Sequence, residues 1–562
     1  MGISLWIVLL KGDIWYRQRG TFGQCAAVIA ACGGVRCIVR VQFRIPPSMV
    51  SERTLCTAEF PSVLSYVTWC KREPDVLKPE TILLLKRGCG IMAHSEYDLG
   101  EKKFLQHVND LGRDDIKQLV LRVALPSMLA QFVSVLYSIV DRMYIGNIPE
   151  IGDTALAGVG ICGPIVNLVG AFAFLVGVGG APLMSIKLGE GDREGAQRIL
   201  SNCFLMLAAL SALLTALALV WRERLLMWFG ASALTFPYAK DYITIYLLGT
   251  VFALMSSGLN QFIVCQGFAN TGMRSVLLGA VLNIILDPIF IFSLGMGVKG
   301  AALATVLSQM ASCTYVLLFL FGQRPPIRIT VGGYQLKVVR SVLTVGFTSF
   351  LIIAIDNGMI IAMNAVLQRY GGPGQGDILI TCCTIMQSFM LMVTMPLGGI
   401  TGGTQSILGF NYGARRPDRV LKAQKYIILL CVSFTALLFL FAQLAPHLFV
   451  LIFTREPEYV ALASRAIRIY TLGIIPLGIQ YEIVDGFTGM GVVQAALPLS
   501  FWRKLIYFVS LFALPAAFGA EAVFFTGPIS DFGGALVSVV VYLLTIRKIL
   551  NKRSPAEPLP EV

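Results

Sequence analysis

Two residues four apart carry the clearest chemistry in this chain. Asn283 and Asp287 stand in the run NIILDPIFIFSLGMGVKGAALATVLSQ (283–309), which is otherwise almost wholly apolar. At helical spacing they share one face, one turn apart. Pro288 restricts how the chain continues after Asp287. A glycine-rich turn follows at 295–300, and a second small-residue helix carries Thr305. A carboxylate beside an amide inside an apolar hairpin is costly to bury, and within a membrane it marks a functional site by default. The other acids inside or at the rim of apolar segments are Asp141, Asp356 and the pair Glu482/Asp485. Asp141 is followed by Arg142, so an ion pair at a helix end is the structural alternative to a place in a cavity. If Asp141 and Asp287 line one cavity, the pair can load and release a proton. With the neutral oxygens of Asn283 and Thr305 it can instead hold Na⁺.

Such residues need a membrane around them, and the composition supplies one. Of 562 residues, 56% are hydrophobic and 14% charged, against about 25% charged in a soluble domain. The mean hydropathy is +0.74. The net charge of +13 reads as Lys and Arg in cytoplasmic loops rather than as a nucleic-acid surface, since no basic patch is interleaved with aromatics. Six of the thirteen cysteines precede residue 90 and the rest are scattered through apolar segments. No C-x-x-C pair suggests zinc, the three histidines are far apart, and no disulfide framework is implied. No P-loop and no G-x-S-x-G elbow appears, so transport by this chain would draw on an ion gradient, with no cofactor.

Twelve apolar segments are expected to span the bilayer: 120–142, 155–180, 200–220, 241–265, 275–294, 300–322, 341–367, 378–400, 424–446, 466–488, 496–518 and 527–546. Arg503 and Lys504, near the start of the eleventh, are expected to snorkel to the interface. Basic residues concentrate in alternate loops, which puts both termini in the cytoplasm. Residues 1–91 read differently, with Cys, Arg and Pro mixed without helical or strand period. Met92 opens an ordinary polar N-terminus and is the expected true start, with a genuine N-terminal extension over 1–91 as the alternative. The expected organisation is then a first six-helix bundle over 92–322, a linker at 323–340, a second bundle over 341–550 and a tail at 551–562.

The halves repeat. GGAPLMSIKLGEGDREGAQRIL (179–200) follows segment two, and GGTQSILGFNYGARRPDRVL (402–421) follows segment eight. Gly189 pairs with Gly413 if a one-residue shift is allowed. Both copies lie on the same expected side, a parallel repeat of the kind that places a substrate site between the halves. Aligning Gly267–Gly272 with Gly486–Gly491 sets Ile506 opposite Asp287, so the ion site belongs to the first half. Pro126, fifteen residues before Asp141, either permits a bend or marks a helix N-terminus. Met386 and Met390 in segment eight could line a site for varied apolar ligands or simply pack in the core.

VDRMYIGN (140–147), ALAGVGICGPI (155–165), the two glycine-turn repeats and the 283–309 stretch together resemble the multidrug and toxic compound extrusion (MATE) family of antiporters, specifically its DinF-like and MepA-like prokaryotic branches. The resemblance covers about residues 115–550. It implies an all-α polytopic protein of twelve transmembrane helices in two pseudo-symmetric six-helix bundles. It also implies export of organic cations and amphipathic drugs in exchange for H⁺ or Na⁺ by alternating access, from a monomer in the cell membrane. By motif position, Asp141, Asn283, Asp287 and Thr305 look like the family's first-half cation site, and Pro126 falls where a bendable first helix is proposed. A flippase for a lipid-linked precursor is the alternative within the same superfamily; it predicts more basic residues inside the spans. An intramembrane enzyme would need a clustered nucleophile and base, and none is visible.

Overall fold

The computed structural model describes residues 39–42, 57–60, 109–372 and 375–552. The chain divides into two units, Met1–Val108 and Asn109–Val562. In the first, β1 (Val39–Gln42) pairs antiparallel with β2 (Thr57–Phe60), Val39 opposite Phe60. The sequence shows no strand period there, because four residues sit at the lower limit for reading alternation. The expected start at Met92 lies outside the described residues.

The second unit is all-helical over its described residues. The helices are α1 (Ile116–Gly146), α2 (Gly152–Gly189), α3 (Arg193–Trp228), α4 (Phe236–Leu248), α5 (Thr250–Val264), α6 (Ala269–Pro288) and α7 (Val298–Phe321) in the first half. The second half holds α8 (Leu336–Gly371), α9 (Gln375–Gly413), α10 (Pro417–Leu444), α11 (Pro457–Tyr470), α12 (Ile474–Gly489), α13 (Val493–Phe518) and α14 (Thr526–Asn551). Among the described residues, eleven helices are long and apolar enough to cross a membrane, with α11 and α12 forming one of these; the twelfth span is the pair α4 and α5, bent by 56°. The bend falls at Gly249, where an added Cβ would collide with the Val306 side chain of α7. All twelve expected segments fall on these spans.

Local chemistry sets the helix ends near the site. Asp115 caps α1 by accepting from the backbone N–H groups of Lys117 and Gln118 at 3.1 and 3.3 Å. Asp192 caps α3 through Gly195 N–H at 2.8 Å. Gly189 ends α2 and Gly413 ends α9, as the aligned repeat expects. Pro126 lies ten residues inside α1, which settles its place as interior rather than terminal. Its missing N–H leaves the Arg122 carbonyl without the usual helical donor. The chain does not stop at Asp287-Pro288: it widens into a π-turn over Ile289–Ser293, closed by Leu294 N–H on the Ile289 carbonyl at 2.9 Å. Single π-turns occur frequently at functional sites. Gly295 and Gly297, both at positive φ, then reverse the chain into α7.

Three cores divide the membrane unit. One lies within the first bundle and includes Met184, Leu200, Phe262 and Val316. Another lies within the second and includes Met386, Phe389, Phe449 and Phe524. The third joins the halves: Ile116, Leu119, Val120 and Val123 of α1 pack with Leu397 and Ile407 of α9, Val420 and Ile427 of α10, and Phe487 of α12. The opening half of α1 therefore packs on the second bundle, in a core that Val264 and Ala269 of the first also enter. Its closing half, which carries Asp141, runs beside α6 in the first. The bundles also meet along α2 and α8.

Candidate functional site

Three spans converge on the closing half of α1. Asn283 and Asp287 of α6 are buried, at 2% and 0% exposure. Asn283 Nδ2 donates to Asp287 Oδ1 at 3.1 Å and stands 3.5 Å from Thr305 Oγ1 on α7. Thr305 in turn donates to the Ala301 carbonyl at 3.0 Å, which fixes its lone pairs toward the amide. Half-buried Asp141 reaches toward this group from α1, and its carboxyl neighbours that of Asp287. The structure thus brings together all four residues expected at the cation site.

The arrangement is short of positive charge. Asp141 Oδ1, Asp287 Oδ2 and Asn283 Oδ1 are buried without a hydrogen-bond donor among the described residues. Buried polar atoms are nearly always satisfied, and facing carboxylates repel. Three unserved acceptor oxygens in one place accommodate a proton or a small cation. Arg142, adjacent in the chain, acts on Asp141 from the exposed side without removing this deficit.

Aromatic residues wall the site. Asp141 lies close enough to Tyr137 of α1 and Tyr242 of α4 to act on their hydroxyls electrostatically. Tyr242 stacks on Tyr246 with ring centroids 6.3 Å apart and planes 8° from parallel. Gln309, one turn beyond Thr305, sits beside the Tyr246 hydroxyl. None of these four was singled out from sequence; a Tyr pair at i, i+4 on the apolar α4 reads as core.

The second-half acids separate into two groups. Glu482 is fully buried on α12, and neither of its oxygens has a partner among the described residues. Asp485, one turn on, accepts from Thr401 of α9. Asp356 of α8 instead forms an ion pair with Lys504 of α13. Beside it, Arg503 Nη1 meets Asp531 Oδ1 of α14 at 3.3 Å. This corrects the expectation that Arg503 and Lys504 snorkel. They sit in the middle of α13, buried against carboxylates of two other helices, and they drop out of the loop-charge count. Met386 is fully buried in the second-bundle core and Met390 packs on its edge.

The comparisons agree with this architecture. The family model described as MatE matches twice, over residues 126–289 and 348–511. The multidrug export protein MepA of Staphylococcus haemolyticus (strain JCSC1435) is 23% identical over 441 residues, covering 78% of this chain and 96% of that protein. The MepA protein of Staphylococcus aureus (strain MSSA476) is 22% identical over 433 residues, covering 76% and 94%. Among solved structures, a MOP-superfamily transporter from Pyrococcus furiosus superposes with a TM-score of 0.75 at 24% identity, over 80% of this chain and 99% of that one. A multidrug resistance MATE transporter in an outward-facing conformation gives 0.73 at 23% identity, over 80% and 99%. With the MatE model matched across both halves of a twelve-span fold, the chain belongs to the MatE family and is a multi-pass membrane transporter, not an enzyme.

Proposed function

We propose that the chain exports amphipathic organic cations in exchange for H⁺ or Na⁺ by alternating access, with Asp141, Asn283, Asp287 and Thr305 as the coupling site. One observation carries the reading: Asp141 of α1 and Asp287 of α6 are neighbouring carboxyls that each keep a buried oxygen without a donor among the described residues, while the other half of α1 packs in the core that joins the two bundles. A cation arriving between the carboxyls relieves their repulsion and draws α1 toward α6. Because α1 is held at its other end by α9, α10 and α12, that movement is felt where the bundles meet. Ion and drug then bind at one another's expense, which is reciprocal coupling between two ligands. Pro126, about a third of the way along α1, is the natural place for the helix to flex. Asp356, Glu482, Asp485, Met386 and Met390 are the second-half candidates for drug contact.

The named relatives are multidrug export proteins, which favours the plasma membrane and a broad set of small amphipathic substrates. Basic residues in alternate loops favour cytoplasmic termini, and the presence of both repeated halves in one chain favours a monomer. Export of a phosphate-bearing lipid precursor is less favoured, because it calls for more basic residues inside the spans than Arg503 and Lys504 at mid-span. The test is flux of tetraphenylphosphonium in proteoliposomes, run under a Na⁺ gradient and under a H⁺ gradient separately. Counterflow under one gradient is expected. Flux that ignores both gradients overturns the reading.

A further inference from the structure

The paired charges of the second bundle are unevenly shielded. The Lys504 side chain is 6% exposed and that of Asp356 44%. An ionised carboxylate in mid-span is tolerated toward a bundle interior or a water-filled cavity, not toward lipid. By that rule the exposed side of Asp356 opens on a water-filled cleft rather than on lipid, with Lys504 behind it. No spare carboxylate backs Lys504. Asp531, 3% exposed, is its next acid and already accepts a hydrogen bond from Arg503.

A ligand entering from the cleft meets Asp356 first. A plain organic cation that takes this carboxylate strips Lys504 of its partner and leaves a buried ammonium unpaired, which is strongly unfavourable. A ligand that brings its own anionic group replaces what it removes. We propose that Asp356 and Lys504 form a subsite for zwitterionic amphiphiles, the ligand's ammonium on Asp356 and its carboxylate on Lys504. The inference rests on the export reading and narrows its substrate class. It also gives the mid-span pair a use, since an ion pair is by itself a poor source of stability.

Two matched fluorescent probes decide it, measured with the full chain in proteoliposomes. Nε-dansyl-lysine carries both charges, and its methyl ester carries the ammonium alone. The intact chain is expected to favour the zwitterion by about tenfold in apparent affinity. Lys504→Met is expected to collapse that preference. The reversed pair, Asp356→Lys with Lys504→Asp, is expected to restore it and controls for folding. Equal affinities in the intact chain, a preference for the ester, or an undiminished preference in Lys504→Met overturns the subsite. If neither dansyl probe moves but tetraphenylphosphonium still exchanges for ions, the subsite fails and the export reading stands. If none of the three moves, both fail.

Discussion

Gly189, the last residue of α2, and Gly413, the last residue of α9, each lie against the other helix's backbone. A Cβ on Gly189 would fall on the Phe410 carbonyl, and one on Gly413 on the Ile186 carbonyl. The two bundles are thus shut together at these helix ends. Gly189→Val adds bulk where neither backbone can give. Overpacking of this kind costs about 1–3 kcal/mol, enough to shift a two-state equilibrium roughly 5- to 150-fold. Spin labels at exposed Arg193 and Arg415 report the gap. The variant is expected to populate a longer distance than the parent; an unchanged distribution would show that the glycines do not set the closure.

A polar strap holds the same end. Arg419 donates to Asn411 Oδ1 at 2.9 Å and to the carbonyls of Asp114 at 2.9 Å and Leu111 at 3.4 Å. Arg416 adds the Gly112 carbonyl at 2.8 Å. The segment leading into α1 is thereby tied to the start of α10. Hydrogen bonds from a charged donor are worth about 1.5–3 kcal/mol, and lysine cannot reproduce the guanidinium fork. Arg419→Lys is expected to speed amide exchange over 110–115 by about tenfold or more. Protection equal to the parent's would mean that the strap carries no load.

Much of this was legible in the sequence for physical reasons. The twelve spans followed from hydropathy, because a bilayer forces each segment to about 20 apolar residues. Asn283 and Asp287 were legible because polar groups at helical spacing in such a segment need a purpose. Tyr242, Tyr246 and Gln309 were not, because in an apolar helix they look like packing. Arg503 and Lys504 were misplaced for a different reason. Their partners, Asp531 and Asp356, are 28 and 148 residues away in the chain, and only tertiary structure brings such charges together. The break of the fourth span at Gly249 depends on Val306 of α7, which is equally invisible locally.

The Arg503–Asp531 pair, with side chains 15% and 3% exposed, permits a stability test. Removing one member of a buried pair typically costs about 3–5 kcal/mol, whereas replacing both with apolar groups is often neutral. Arg503→Met and Asp531→Leu are each expected to lower the thermal unfolding midpoint in detergent. The double variant is expected to recover most of the loss. Additive losses would show that the two side chains do not act as a pair.

The account turns on Asp287 as the carboxylate that binds the coupling ion. Asp287→Asn keeps the volume and the neighbouring amide but removes the charge. The decisive measurement is ion-dependent counterflow of tetraphenylphosphonium in proteoliposomes with this variant, beside a circular-dichroism check of folding. A folded protein with ion-driven exchange abolished is the predicted result. Exchange at the parent rate would contradict the assignment of the site to Asp141 and Asp287.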